Sequence, residues 1–337
     1  MRLLILGGTV FLGRHAAEAA TSRGHQVTLF HRGRSNPGVL QEAEHVIGDR
    51  DGGLGALAGG RWDAVIDTSG YVPRVVGDAA RELASRVAHY VFVSSVSAYA
   101  DITRAGADES HPLATLEDPA TEAVTGATYG ALKAACERAA EDAMPGRVLH
   151  VRAGLLVGPH DTTDRFPYWP RRIARGGEVL APGTPAHPVQ LVDARDLAEW
   201  MVSMAEQRVS GAFNATGPAE PLTLGALLER ARSALGSSAR LTWVDERFLL
   251  EHSVTPWTEM PLWVPESESD FERLDLRRAI GAGLRFRALE DTLRDTLAWD
   301  RATPPEARPK RAGPAMGGPL GPLREAELLA AWHATRG

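Results

Sequence analysis

Short apolar runs alternate with longer Ala-rich or amphipathic stretches through the first half of the chain. The apolar runs are almost uninterrupted, which is typical of strands that are buried on both faces of a parallel sheet. They lie at residues 3–6, 26–30, 44–47, 64–67, 90–94 and 148–152, and helical stretches lie near 14–23, 73–86 and 127–144. The alternation predicts an α/β fold built on a doubly wound parallel sheet, with ligands at the carboxyl ends of its strands.

The pattern loosens after about residue 160, where many Pro and aromatic residues occur. We expect residues 1–160 to form the main domain, with returns to it near 190–217, and residues 161–300 to form a smaller substrate lobe. Residues 301–337 are expected to hold a linker, Pro/Gly-rich over 303–322, and a short helix at 324–333. Leu328, Leu329 and Trp332 lie on or near one face of that helix, so it either docks on the body or contacts a partner.

A Gly-rich turn ends the first apolar run, and a helix follows it at once. Gly7 permits the tight turn, and Gly13 lets the helix pack closely on the strand. Such a turn, together with the helix dipole, holds the pyrophosphate of a dinucleotide in Rossmann domains. An ordinary βα loop is the alternative for the turn taken alone. The Rossmann-like interpretation predicts cofactor contacts at four strand ends, from Gly7, Thr9, Val10, Phe11, Leu12 and Gly13, from His31 and Arg32, from Asp49 and Arg50, and from Thr68, Ser69 and Gly70.

Composition narrows the range of partners. The net charge is −6 and basic stretches are short, so we expect no nucleic-acid partner. The single cysteine, Cys136, excludes an intramolecular disulfide framework and fits a reducing cytoplasm. The opening apolar run is too short for a signal peptide or a membrane span, and the dispersed histidines lack metal-ligand spacing. We therefore expect a cytoplasmic protein with a small-molecule substrate, without a membrane partner or a metal site.

Tyr129 and Lys133 are four residues apart on a predicted helix, so their side chains share one face. A cation beside a phenol favours the phenolate, which lowers the pKa of the tyrosine and makes it a usable general acid and base. Taken alone, such a pair is most often a solvated helix face. About 30 residues upstream, however, a predicted buried strand ends in the hydroxyl-rich segment 94–99, at the edge where the sheet binds ligands. The combination favours a catalytic site.

In these motifs the chain resembles the extended short-chain dehydrogenase/reductases, the NAD-dependent epimerase/dehydratase family, from residue 1 to about 300. The resemblance implies that Tyr129 transfers the proton and that Ser95 hydrogen-bonds the reacting oxygen. It also implies that Lys133 tunes the pKa of Tyr129 and holds the nicotinamide ribose. Hydride then passes between the nicotinamide and a carbonyl, alcohol or imine carbon. The resemblance also admits a homodimer through the helix of Tyr129. Further matching segments are Glu109-Ser-His-Pro112, Arg152 with Gly158-Pro159, Gln190 with Asp193 and Asp196, and Phe213-Asn-Ala-Thr-Gly217.

Substrate-binding candidates follow from the same resemblance. Ser97 lies in the strand-end segment, and Phe166, Tyr168 and Trp169 fall where the family builds its substrate lobe. An aromatic wall would suit a flat or bulky substrate. Aromatic packing inside the lobe is an equally good explanation of these three residues.

The chain also departs from the family pattern. Val10 replaces the middle glycine of the turn, where a side chain would crowd a pyrophosphate on the usual backbone path. Val96 and Ser97 stand where 4,6-dehydratases of the family carry Asp-Glu, which disfavours that elimination. Leu155 stands where sugar-nucleotide epimerases often carry an Asn that contacts the substrate diphosphate, and leucine cannot donate that hydrogen bond. These differences disfavour a dehydratase and a nucleotide-sugar substrate.

The second strand ends without an acidic residue that would bind the adenosine 2′-hydroxyl and reject a 2′-phosphate. Arg32 can stack on adenine and pair with the phosphate, so we expect NADP(H) in preference to NAD(H). The alternative is that Arg32 and Arg34 are solvated loop charges.

These expectations combine into an NADP(H)-dependent oxidoreductase that acts on a small carbonyl, alcohol or imine, including compounds of secondary metabolism. One alternative is an NAD-dependent sugar epimerase. The other is a non-catalytic nucleotide-binding module, against which the intact set of Ser95, Tyr129 and Lys133 argues.

Overall fold

The computed structural model describes residues 1–101, 105–304 and 318–336. Most of the predicted linker, residues 305–317, lies outside the described residues. In chain order the strands are β1 (Arg2–Leu6), β2 (Gln26–His31), β3 (Glu44–Ile47), β4 (Ala64–Asp67), β5 (His89–Ser95), β6 (Val148–Ala153), β7 (Leu155–Val157), β8 (Glu178–Pro182), β9 (Pro188–Val189), β10 (Leu191–Asp193), β11 (Gly211–Ala215), β12 (Leu222–Thr223) and β13 (Arg240–Val244).

The helices in chain order are α1 (Phe11–Ser22), α2 (Pro73–Leu83), α3 (Tyr129–Ala143), α4 (Tyr168–Ala174), α5 (Ala194–Gln207), α6 (Leu224–Ala234), α7 (Glu246–Glu251), α8 (Arg277–Gly281), α9 (Leu289–Ala302) and α10 (Pro322–Ala334). Short 3-10 helices lie at Leu54–Leu57, Val96–Ala98 and Glu266–Glu272.

The chain folds into two compact units. The first consists of residues 1–156, 192–219 and 274–286, and the second consists of residues 157–191, 220–273 and 287–337. Each unit is assembled from separate stretches of the chain.

A seven-stranded parallel sheet forms the centre of the first unit, in the order β11-β6-β5-β4-β1-β2-β3. The predicted doubly wound, Rossmann-like fold is therefore confirmed. Every strand predicted in the first half forms within one residue of its expected bounds. Because the strand order reverses beside β1, the carboxyl ends of β1 and β4 flank the crevice in which such sheets bind ligands.

Helices cover both faces of this sheet. In β1, Leu3 and Ile5 point into the layer of α1 and α5, whereas Leu4 and Leu6 point into the layer of α2 and α3, and all four are fully buried. This alternation across a continuously apolar strand is what burial on both faces demands.

The second unit contains a layer of α4, α6 and α9 and a parallel pair of β8 with β13. The C-terminal helix α10 docks within this unit through its buried face. Glu325 forms a buried ion pair with Arg172, with a separation of 2.6 Å between Oε2 and Nε. The ring of Trp332 lies 5.1 Å from that of Phe248. No helix in the described part of the chain is long and apolar enough to cross a membrane.

Two isoleucines on strands of the sheet test its double-sided burial. Ile66 on β4 is fully buried, whereas Ile47 at the end of β3 is 57% exposed. We expect Ile66→Ala to lower the free energy of unfolding by about 2–5 kcal/mol through lost burial and a cavity. The matched control Ile47→Ala should change it by less than about 0.5 kcal/mol. Chemical denaturation of both variants checks this, and equal losses would contradict the burial pattern.

Candidate active site

The Gly-rich turn after β1 is pressed against the end of β4. Gly7 has a φ of +95°, and its N–H donates a 2.9 Å hydrogen bond to the carbonyl of Phe30. A Cβ on Gly7 would come within 2.9 Å of Ser69 Cβ, and one on Gly13 would come within 2.8 Å of the Gly7 carbonyl oxygen. Both glycines are therefore required by close approach, as the sequence predicted for a cofactor-binding turn.

Val10 occupies the position immediately before α1 in extended backbone, with φ −134° and ψ 138°. A β-branched residue adopts that conformation readily. The left-handed backbone falls instead on Phe11, whose φ is 39°. Of the other predicted turn residues, Thr9 is buried and its carbonyl accepts a 3.1 Å hydrogen bond from the Asn36 side chain, and Leu12 is buried in the core.

A buried ion pair lies at the carboxyl end of β4, next to the turn. Arg50 donates through both terminal nitrogens to the two oxygens of Asp67, at 2.7 and 2.8 Å, and also to Ser69 Oγ at 3.1 Å. The hydroxyl of Tyr90 donates to Asp67 at 2.7 Å. Burial alone would raise the pKa of the fully buried Asp67, but Arg50 and Tyr90 outweigh it and the net pKa is lowered.

The predicted contacts Thr68 and Ser69 have their own backbone partner. Both hydroxyls donate to the carbonyl of Leu6, at 3.0 and 3.3 Å, and thereby tie the end of β4 to the end of β1. Asp49 caps the turn after β3 by accepting the N–H of Asp51 at 3.1 Å.

Lys133 is buried on the face of α3 that meets β5. Its Nζ donates to the carbonyls of Gly70 and Val93, at 2.6 and 2.7 Å, and lies 4.3 Å from the centre of the Phe92 ring. Burial lowers the pKa of Lys133 to about 8. The charge of this lysine is therefore present below about pH 8 and is lost as the pH rises through that value.

Glu137 extends the same face of α3 by one more turn, since Tyr129, Lys133 and Glu137 are spaced by four residues. Ser94 Oγ donates to Glu137 at 2.5 Å, and Arg152 on β6 donates to it through Nη2 at 2.9 Å. Arg152 also donates to the hydroxyl of Tyr99, at 3.0 Å. This buried network was not predicted from the sequence, although the i, i+4, i+8 spacing was a signal that could have found Glu137.

Gly130 sets how closely the start of α3 approaches the 3-10 helix after β5. A Cβ on Gly130 would lie only 2.0 Å from the carbonyl oxygen of Ser97. Ser97 in turn donates its N–H to Ser95 Oγ at 3.1 Å. The contact joins the first turn of α3, which begins at Tyr129, to the strand end that carries Ser95.

Tyr129 is half-buried at the first position of α3, and Ser95 is buried at the last position of β5. Tyr71 lies near Lys133 and was not predicted from the sequence. Its ring centre is 5.3 Å from Lys133 Nζ, and the residue is 48% exposed. Burial of the hydroxyl and the neighbouring Tyr129 raise the pKa of Tyr71.

The substrate-binding candidates are divided between the two units. Ser97 is exposed at the strand end in the first unit. Phe166, Tyr168 and Trp169 are buried in the second unit, where Trp169 donates through Nε1 to the carbonyl of Pro261 at 2.9 Å. Their burial favours the packing explanation that the sequence left open.

Residues 3–215 match the family model described as the NAD dependent epimerase/dehydratase family. The chain belongs to this family. The family resemblance expected from the sequence is thus confirmed, and the protein is an NAD(P)-dependent enzyme of the oxidoreductase type. No curated protein matches the sequence.

Solved structures of sugar-nucleotide epimerases share this fold. UDP-N-acetylglucosamine 4-epimerase from Bacillus cereus has a TM-score of 0.65 and 17% identity, covering 89% of this chain and 96% of that chain. UDP-glucuronic acid 4-epimerase from Bacillus cereus, in complex with NAD, has a TM-score of 0.64 and 14% identity, and the match covers 90% of this chain and 99% of that chain. UDP-glucose 4-epimerase from Thermotoga maritima, with UDP-glucose, has a TM-score of 0.65 and 17% identity, and the match covers 90% of this chain and 99% of that chain. At these identities the likeness shows the fold.

The residues at the strand ends fit a dinucleotide. Gly7 and Gly8 open the turn before α1 without side chains, and the N-terminus of α1 follows Thr9 and Val10, which is a setting that can hold a pyrophosphate. Nε of Arg50 is buried with no hydrogen-bond partner among the described residues, so one donor at this edge is unsatisfied. A nicotinamide bound here supplies the hydride chemistry, while the chain supplies orientation and a proton.

The tyrosines allow a test of the acid–base pair without a substrate. We expect the first phenolate to form on raising the pH to come from Tyr129, because burial raises the pKa of the other tyrosines, Tyr71, Tyr90, Tyr99 and Tyr168. Tyr129→Phe should remove this first transition in phenolate absorbance. Because Lys133 carries its charge only below about pH 8, Lys133→Met should move the transition to higher pH if Tyr129 ionises below that value. A first transition that neither substitution alters would contradict the assignment.

Two glycines near the start of α3 test the close contact at Ser97. Alanine is favoured over glycine inside a helix by about 1 kcal/mol, so Gly130→Ala would stabilise the protein if space allowed. We expect the reverse, a lower unfolding midpoint and a shifted phenolate transition, because the new methyl group must push α3 away from Ser97. Gly126→Ala, with no atom within 4 Å of its Cβ, is the control and should change neither property. Unchanged properties in Gly130→Ala would show that this approach is not required.

Proposed function

We propose that the chain is an NADP(H)-dependent oxidoreductase that transfers a hydride to or from a small carbonyl, alcohol or imine substrate. The observation that carries the proposal is the face of α3, where Lys133 is fixed by two backbone carbonyls four residues after Tyr129. A lysine held in this way has a fixed position on the helix that carries Tyr129, and it is charged below about pH 8, as a partner of a general acid and base requires.

Each residue of the set has one role in this proposal. Tyr129 gives a proton to the reacting oxygen, or takes one from it. Lys133 stabilises the phenolate and holds the nicotinamide ribose, and Ser95 donates a hydrogen bond to the reacting oxygen. Because Ser95 Oγ also accepts the N–H of Ser97 at 3.1 Å, its hydroxyl hydrogen remains available for the substrate.

The preference for a small substrate is supported by Leu155. This residue is 8% exposed in β7, and its apolar side chain offers no hydrogen bond to a substrate diphosphate. Ser97 is exposed beside Ser95 and is the substrate contact that we propose in the first unit. An aromatic wall of Phe166, Tyr168 and Trp169 has no such support, because all three side chains are buried.

The preference for NADP(H) is supported by the loop after β2. Arg32 and Arg34 are both exposed, and among the described residues neither pairs with a carboxylate. A 2′-phosphate on the adenosine would therefore meet cations that are not already neutralised. The cytoplasmic location and the homodimer implied by the family resemblance remain parts of this proposal.

An NAD-dependent epimerase is the second candidate function. It is favoured by the sugar-nucleotide epimerases of the same fold, which cover about nine-tenths of the chain. An epimerase would retain NAD tightly through purification and would release no reduced cofactor, whereas the proposed reductase would exchange NADPH freely.

Cofactor titration distinguishes the two functions. Binding of each nucleotide to the purified protein is followed by the fluorescence of the reduced cofactor, and we expect NADPH to bind more tightly than NADH. In Arg32→Ala, NADPH binding should weaken about 10- to 100-fold, since a lost charged hydrogen bond costs about 1.5–3 kcal/mol. NADH binding should change little in the same variant. Tightly bound NAD in the purified protein, or equal binding of both cofactors, would favour the epimerase. A protein that binds neither nucleotide would overturn both functions.

A further inference from the structure

Two histidines at the end of β2 form a hydrogen-bonded pair. His31 Nε2 lies 2.9 Å from His45 Nδ1 on the adjacent strand β3, and the two rings meet edge to face at 89°. His31 is the last residue of β2, 18 positions after Gly13, where dinucleotide-binding domains place the group that contacts the adenosine ribose. His45 has no role in the site described so far.

Backbone groups at both ends fix the direction of this pair. The N–H of Gly33 donates to His31 Nδ1 at 3.1 Å, so that nitrogen carries a lone pair. His45 Nε2 lies 3.2 Å from the carbonyl oxygen of Leu40, which only accepts, so this nitrogen carries hydrogen. Both ends therefore require the same tautomer of each neutral ring, with the hydrogen on Nε2. The Gly33 N–H then donates to His31, His31 donates to His45, and His45 donates to the carbonyl of Leu40.

A further proton has no good place in this arrangement. On His31 it must sit on Nδ1, opposite the N–H of Gly33, and on His45 it must sit on Nδ1, opposite the N–H of His31. His31 is also 6% exposed, and its burial together with His45 lowers its pKa. The hydrogen bonds of the pair thus disfavour a positive charge on His31 until an anion approaches.

A phosphate dianion at the end of β2 would reverse this balance. It would offer oxygen acceptors to the Gly33 N–H, and a protonated His31 Nδ1 would become a second donor to the same anion. The nearby charged groups are Arg32 and Arg34 after β2, Glu42 and Glu44 around the start of β3, and Asp49 and Arg50 after it. Glu44 already accepts the hydroxyl of Thr28 at 2.8 Å.

We propose that the His31–His45 pair is a proton-linked part of the site for the adenosine 2′-phosphate, in which His31 takes up a proton at Nδ1 from solvent when the phosphate replaces it as the acceptor of the Gly33 N–H. The proposal rests on the proposed preference for NADP(H). It makes the choice of cofactor dependent on pH, because a dinucleotide without the 2′-phosphate does not stabilise the protonated form of His31.

Calorimetric titration of the whole chain with NADP+ and with NAD+, in buffers of different ionisation enthalpy, measures the protons taken up on binding. We expect the protein to take up more protons on binding NADP+ than on binding NAD+. Because the two cofactors have the same nicotinamide half, any contribution from Lys133 is equal for both and cancels in this difference. NADP+ affinity should also rise by up to about tenfold per pH unit between about pH 8 and about pH 6.5, where the phosphate stays mostly dianionic. NAD+ affinity should not follow this slope.

Two variants separate the histidine from other proton acceptors. In His31→Asn the side-chain oxygen still accepts from Gly33 but cannot titrate, so the extra uptake and the pH slope should both disappear. His89→Asn is the control, because His89 is equally buried but lies at the opposite, amino-terminal end of β5. Uptake that persists in His31→Asn would assign the proton to a group other than His31 and overturn the proposal.

The remaining outcomes are also decisive. NADP+ that binds more tightly than NAD+ with no extra proton uptake would overturn the histidine proposal and leave the proposed function intact. A preference for NAD+ would overturn the proposed cofactor and the histidine proposal together.

Discussion

The attachment of α3 to β5 is the constraint on which the proposed catalytic arrangement depends. Three consecutive turns of the helix meet successive parts of one strand and the segment after it: Glu137 meets Ser94, Lys133 meets the carbonyl of Val93, and Gly130 meets the carbonyl of Ser97. A helix fixed at three levels cannot slide or rotate without breaking buried polar contacts, each expensive to leave unmade. The position of Tyr129 relative to Ser95 therefore follows from the packing of the whole helix.

Buried charge near the cofactor edge is balanced locally. The carboxylate of Asp67 is fully buried, and Arg50 meets both of its oxygens. Removing either partner would leave an unpaired charge in the interior, which typically costs about 3–5 kcal/mol. The pair also joins the segment after β3 to the end of β4, so the same contact that neutralises the interior holds two strand ends together.

Much of the fold could be predicted because its signals are local. Each strand of the first half is a continuous apolar run, and the Gly-rich turn and the Tyr129–Lys133 spacing occupy only a few residues. The contacts of Arg50 with Asp67 and of Ser94 with Glu137 join residues 17 and 43 positions apart, which no local pattern relates. The direction of a side chain at a strand end is set by such partners, which explains why these contacts could not be predicted from the sequence.

The backbone at the start of α1 has a further consequence for the turn. A glycine at position 10 would leave the unfolded chain many conformations to lose, whereas valine leaves few. Because Val10 is extended, a conformation that suits a β-branched residue, this position loses less conformational freedom on folding than a glycine would. A dinucleotide that binds here would therefore lose less binding free energy to ordering the turn. The position that is a flexible glycine in the family is, in this chain, a preorganised part of the turn.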